Sequence, residues 1–118
     1  MRLIIAGSRS ITDIEHVQQV MRFAVSAGCC LIEVVSGCAP GVDQLGEQWA
    51  AQNGIPVRQF PADWARYPRR AGRMRNAEMA NYADALVAIW DGASSGTRHM
   101  VQTMQALGKP VYIHKVAA

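Results

Sequence analysis

The sequence predicts an α/β fold, a doubly wound five-stranded parallel sheet with helices on both faces. Three observations carry this. Strand-length apolar runs recur five times, at about residues 2 to 6, 31 to 36, 57 to 60, 85 to 90 and 110 to 114. Helical patterns lie between them, and regular alternation of the two periodicities builds parallel sheets. The runs are also continuous rather than alternating, as in strands covered by helices on both sides. Together these describe a Rossmann-like domain. The 118 residues, 50% hydrophobic and 18% charged, suit a single domain spanning 1–118 with no second unit.

The first strand runs straight into Gly7. The first helix opens at Thr12, where Thr12 and Glu15 have capping-box spacing; its apolar stripe is Ile14, Val17, Met21, Ala24 and Val25, and Gly28 ends it. A second helix opens after Pro40-Gly41, buries Val42, Leu45, Trp49 and Ala50 at helical spacing, and stops at Asn53-Gly54 ahead of Pro56. The third spans about Arg70 to Tyr82 with a weaker stripe. The fourth spans about Thr97 to Leu107, before Gly108-Lys109-Pro110. The longest irregular stretch, Pro61 to Arg69, has the length of a lid or binding segment.

Several classes are disfavoured. No apolar run approaches the roughly 20 residues that cross a bilayer, so no membrane partner is expected. The N-terminus lacks the long apolar core of a signal peptide, which implies a cytoplasmic protein. Cys29, Cys30 and Cys38 are odd in number and lack zinc spacing, which makes them buried or half-buried free thiols. His16, His99 and His114 have no ligand spacing, and no metal is expected. Net charge is only +3, but Arg66, Arg69, Arg70, Arg73 and Arg75 gather five of the twelve basic residues into one short stretch. That concentration makes a local anion-facing patch.

Ligands of doubly wound sheets bind beyond the carboxyl ends of the strands, where strand order reverses. Three turns there are rich in small residues: Gly7-Ser8-Arg9-Ser10, Ser36-Gly37-Cys38-Ala39-Pro40-Gly41-Val42-Asp43, and Asp91-Gly92-Ala93-Ser94-Ser95-Gly96-Thr97. Glycine lets backbone approach a ligand, and free amides at the next helix N-terminus hold phosphate. Any one loop is equally well a tight strand-to-helix turn; three at one sheet edge favour a site. No Gly-x-Gly-x-x-Gly follows the first strand and no Walker lysine follows a glycine loop, so no NAD or other cofactor is expected by those routes. Arg69, Arg70, Arg73 and Arg75 lie in the first part of the third helix, where they oppose the dipole unless an anion lies nearby. Arg75 shares a face with Met79 by i, i+4 spacing and points inward.

Taken together these residues resemble the SLOG superfamily, which includes the cytokinin-activating LOG proteins and the DNA-processing protein DprA, and most of all its small YspA-like, cpYpsA-related branch. Residues Ser36 to Asp43 resemble the glycine loop of DprA-type members. Arg75-Asn76-Ala77-Glu78-Met79, then Ala83 to Ala88 and Gly92 to Thr97, resemble the LOG core pattern. The resemblance covers nearly the whole chain in order. It implies a nucleotide or nucleotide-derived ligand, with Gly96 and Thr97 near its phosphate and Arg75 in the place of the LOG catalytic arginine. It also implies a homodimer, for which exposed Trp or Met on the fourth helix would suit the interface, though the sequence does not locate it. One departure matters: LOG enzymes carry a glutamate three residues beyond the threonine, where this chain has Met100, and the loop through Ala93-Ser94-Ser95 is two residues longer.

Three functions follow. The first is a nucleotide-binding module whose ligand-contacting set is Gly7, Ser8, Arg9, Ser36, Gly37, Gly41, Val42, Asp43, Arg73, Arg75, Asn76, Asp91, Gly92, Ser94, Ser95, Gly96 and Thr97. The second is a nucleotide N-glycosidase in which Arg75 holds the phosphate and Asp91 or Asp43 assists water, with Asp63 and His99 as other stand-ins for the missing carboxylate. The third is a DprA-like single-stranded DNA binder, with Trp64 and Tyr67 interleaved among the arginines as stacking groups.

Overall fold

A computed structural model describes residues 1–26 and 30–116. Its elements are β1 (Arg2–Gly7), α1 (Glu15–Ser26), β2 (Glu33–Ser36), α2 (Val42–Gln52), β3 (Val57–Gln59), α3 (Ala71–Tyr82), β4 (Ala85–Trp90), α4 (Ser95–Ala106) and β5 (Val111–Lys115). All five strands form one parallel sheet in the order β3-β2-β1-β4-β5. The chain steps outward from β1 to β3 and then crosses back through α3 to begin β4 on the other side of β1. Strand order therefore reverses between β1 and β4.

The continuous apolar runs are explained by two core layers. Leu3, Ile5, Val34, Val87 and Ile89 pack against Val17, Met21, Val42 and Trp49 of α1 and α2. The residues between them, Ile4, Ala6, Val35, Leu86 and Ala88, pack against Met79, Ala80, Met100 and Met104 of α3 and α4. Only the inner strands keep this double burial. On the edge strands most side chains are partly or fully exposed, Tyr112 and Ile113 among them, because one flank has no neighbouring strand.

Several expectations need correction. The Thr12–Glu15 capping box does not form: α1 starts at Glu15, whose N–H is held by the Asp13 carboxylate at 3.0 Å. The expected stop at Gly28, and Cys29, lie outside the described residues. α4 begins two residues before Thr97, because Ser94 is its N-cap and accepts the Thr97 N–H at 3.4 Å. Cys38 is half-buried as expected, but Cys30 is exposed. Met100 and Met104 of α4 are fully buried, since the α4 stripe faces the sheet, so neither supplies an exposed methionine. No described helix is long and apolar enough to cross a membrane. Among the described residues no three His, Cys, Asp or Glu cluster as metal ligands.

Close helix-to-sheet packing is sharpest at Gly46 of α2, where an added Cβ would lie 2.9 Å from both Cβ and Cγ2 of the buried Ile5. Ile5 is branched and enclosed, so it cannot give way. Gly46→Ala is expected to destabilise the protein by about 1–3 kcal/mol through overpacking, despite alanine's better helix propensity. Urea unfolding reads this as a lowered midpoint; an unchanged or raised midpoint would contradict the close contact.

Candidate functional site

The site starts at the switch point. β1 and β4 pair through Gly7 opposite Ile89, and a Cβ on Gly7 would land on the Ile89 carbonyl oxygen. The chain then turns at Ser8, which is fully buried and ties three loops together. Its N–H donates to the Ile89 carbonyl at 3.1 Å, its hydroxyl accepts the Asp91 N–H at 2.9 Å, and its carbonyl accepts the N–H groups of Ile11 and Val42. Gly41 makes this junction possible. Its φ of 84° suits glycine, and a Cβ there would sit 2.5 Å from the Ser8 carbonyl oxygen.

Asp91 closes the loop after β4 on itself. Its carboxylate accepts the N–H groups of Ala93 at 2.8 Å and Ser94 at 3.1 Å, and the Ser10 hydroxyl at 3.3 Å. The two backbone donors, followed by the serine hydroxyls, hold its carboxyl below the usual carboxylate range. Asp91 is therefore an ionised loop organiser with little capacity to deliver a proton.

From α3, Arg75 turns inward as its spacing with Met79 predicted. Its Nη1 donates to the Gly37 carbonyl at 2.6 Å and its Nε to the Asn76 side-chain oxygen at 3.0 Å. The Asn76 amide nitrogen donates to the Gly96 carbonyl at 3.3 Å and meets His99 Nδ1 at 3.0 Å. This network assigns the protons. The Asn76 oxygen must face the Arg75 donor and its nitrogen the Gly96 acceptor, so His99 Nδ1 must be an acceptor and Nε2 must carry the hydrogen. Burial, and then the Arg73 charge, also lower the His99 pKa. The network thus favours a neutral His99 ring whose Nδ1 is engaged by Asn76.

Asp43 lies beneath, at the start of α2, 4% exposed. The Ala39 N–H donates to its carboxylate at 3.3 Å. Burial pushes its carboxyl up to about 6, against the opposing pull of the Ala39 and Gly7 amides and Arg75. Ser36 Oγ donates to Glu47 at 2.5 Å and accepts the Cys38 N–H, which fixes the loop after β2 even though Cys38 sits at a φ of 64°. The buried polar residues of the described chain are Ser8, Ser36, Asp43, Asn76 and Thr97. All five belong to the predicted ligand-contacting set.

Above these groups an open cleft of about 630 Å³ lies between the strand ends, α3 and α4. Of the predicted residues, Ser8, Arg9, Arg73, Arg75, Asn76, Asp91, Ser94, Ser95 and Gly96 line it. Gly7, Asp43 and Thr97 line a small adjoining recess, with Met100 at its base. Ser36, Gly37, Gly41, Val42 and Gly92 line neither; they shape the loops from behind. Arg69 joins the cleft wall, whereas Arg66 and Arg70 do not, and Arg66 lies over Tyr67. Trp64 and Tyr67 part company: Trp64 lines the cleft, Tyr67 a separate recess with Glu78, so they make no common stacking surface. Sequence reasoning missed Ser10 and Gly72 as cleft residues, and it missed the pairing of Asn76 with His99. The two lie 23 positions apart on different helices, so no local spacing signals the contact.

The YAcAr family, described as the YspA, cpYpsA-related SLOG family, matches residues 1–67. A protein of Mycobacterium phage D29, named Gene 61 protein, is 34% identical over 116 residues, covering 93% of each chain. No solved structure matches. With the loop junction at Ser8 falling inside the matched segment, the chain belongs to the YspA, cpYpsA-related SLOG family.

Proposed function

We propose that this protein binds a nucleotide or nucleotide-derived ligand by its phosphate, held between Arg73, Arg75 and the first turn of α4 at the carboxyl ends of the strands. SLOG membership associates the chain with nucleotide-related binding or processing at a general level. The observation that carries the finer reading is the charge balance of the cleft wall. It has four guanidinium groups, those of Arg9, Arg69, Arg73 and Arg75, against one carboxylate, Asp91, which is engaged by its own loop. No acidic residue occupies the first turn of α3 or α4 to satisfy either dipole. Gly96 adds to this. A Cβ there would meet nothing within 4 Å, so the fold itself places no demand for glycine and the missing side chain leaves cleft volume for a ligand.

A second reading, hydrolysis of the N-glycosidic bond, is favoured by one group. Asp43 titrates near 6 beside Arg75, in the range of a working acid/base group. In that reading Asp43 assists water attack at the sugar carbon while Arg75 holds the phosphate. Incubation with a panel of nucleoside monophosphates separates the two: free base lost in Asp43→Asn supports hydrolysis, and intact nucleotide supports binding alone.

Two further outcomes are expected. Small molecules released by denaturing the purified protein and read by mass spectrometry should include a phosphorylated nucleoside derivative, absent from Arg75→Ala. Because Arg75→Ala also loses the Gly37 and Asn76 bonds, Gly96→Leu is the cleaner variant: it should melt at the temperature of the ligand-free wild type and still fail to hold the ligand. Retention of the ligand by Gly96→Leu would count against the phosphate position.

Asp43 also sets a pH dependence of stability. Its folded pKa of about 6 lies above the ordinary 3.8, so between those values the folded chain keeps a proton that the unfolded chain releases. Stability from this group is therefore full below about pH 4, falls as pH rises to about 6, and is lower by about 3 kcal/mol beyond it. Denaturant unfolding across that range should show this decline in the wild type and a flatter profile in Asp43→Asn. Equal slopes would contradict the assignment.

A further inference from the structure

The three tryptophans occupy different environments. Trp49 is in the core. Trp90 donates its indole N–H to the Ser94 carbonyl at 3.1 Å and has Arg98 over its ring. Trp64, by contrast, is 50% exposed on the cleft wall. Its benzo-ring atoms rest on Gly72 in the first turn of α3, where an added Cβ would lie 3.2 Å from Cη2.

The segment carrying Trp64 is built to hold it still. The Arg66 N–H is taken by the Asp63 carboxylate at 3.1 Å, the Tyr67 N–H by the Asp63 carbonyl at 2.9 Å, and the N–H groups of Arg70 and Ala71 by the Tyr67 carbonyl. Two successive turns thus run directly into α3, and Tyr67 is turned away by its contact with Arg66. A large aromatic side chain half in water is ordinarily a poor use of apolar area; on a fixed loop beside four arginines it is a stacking platform.

Resting on the phosphate-binding reading above, we propose that Trp64 forms the base subsite of this cleft, stacking the aromatic ring of a nucleotide whose phosphate lies on Arg73, Arg75 and the α4 end. Gly72 is glycine so that the indole can seat against the helix. Stacking tolerates any base, so the subsite accepts the aromatic base as a class and leaves the choice among bases to polar groups elsewhere.

The test compares AMP with ribose 5-phosphate, which lacks the base, by isothermal titration on the full chain and on Trp64→Ala and Trp64→Phe. The wild type is expected to bind AMP about tenfold or more tighter than ribose 5-phosphate. Trp64→Ala should bring AMP down to the level of ribose 5-phosphate while leaving the latter unchanged, and Trp64→Phe should keep most of the preference. AMP bound equally by wild type and Trp64→Ala, or no preference in the wild type, overturns the base subsite and leaves the phosphate site standing. Failure of the wild type to bind either probe overturns the phosphate reading, and the base subsite with it.

Discussion

Everything at the strand ends depends on how closely β1 and β4 approach at the switch point. Gly7 leaves no room for a side chain against the Ile89 carbonyl, and that contact delivers Ser8 to a position where its backbone and hydroxyl reach two other loops at once. A bulkier residue at position 7 would separate the strands, and Ser8 would lose both Asp91 and the start of α2. The cleft is therefore a consequence of strand spacing before it is a consequence of any ligand-binding group.

The division between dry core and polar floor follows from the same geometry. Within the sheet, alternate residues of β1, β2 and β4 enter two apolar layers. At their carboxyl ends the helices begin, the layers stop, and buried polar groups need partners. The described residues supply them: the buried side-chain nitrogen and oxygen atoms all have hydrogen-bond partners. Asn76 is the clearest case, because its one oxygen and two N–H groups are all used, and the orientation of Arg75 and the proton position on His99 both follow from it.

Element order, the parallel sheet and the three small-residue loops were legible in the sequence because they rest on local periodicity and on glycine and proline punctuation. So was the inward turn of Arg75, from its i, i+4 relation to Met79. The failures have equally physical causes. Thr12 and Glu15 have capping spacing, but Asp13 competes for the same amide from a shorter distance along the chain. The separation of Trp64 from Tyr67 depends on turns nucleated by Asp63, and three residues of backbone decide which ring meets the cleft.

The hydrogen bonds that organise Ala62 to Arg70 stay within that segment and the opening of α3, whereas the loops after β1, β2 and β4 are cross-braced through Ser8 and Arg75. The two halves of the cleft therefore differ in how freely they can diverge. A change in any braced loop propagates to the others and to the sheet, while the Trp64 segment can be rewritten with local effect. Relatives that keep Arg9, Arg73 and Arg75 and exchange this one segment would present a different cleft wall on the same scaffold.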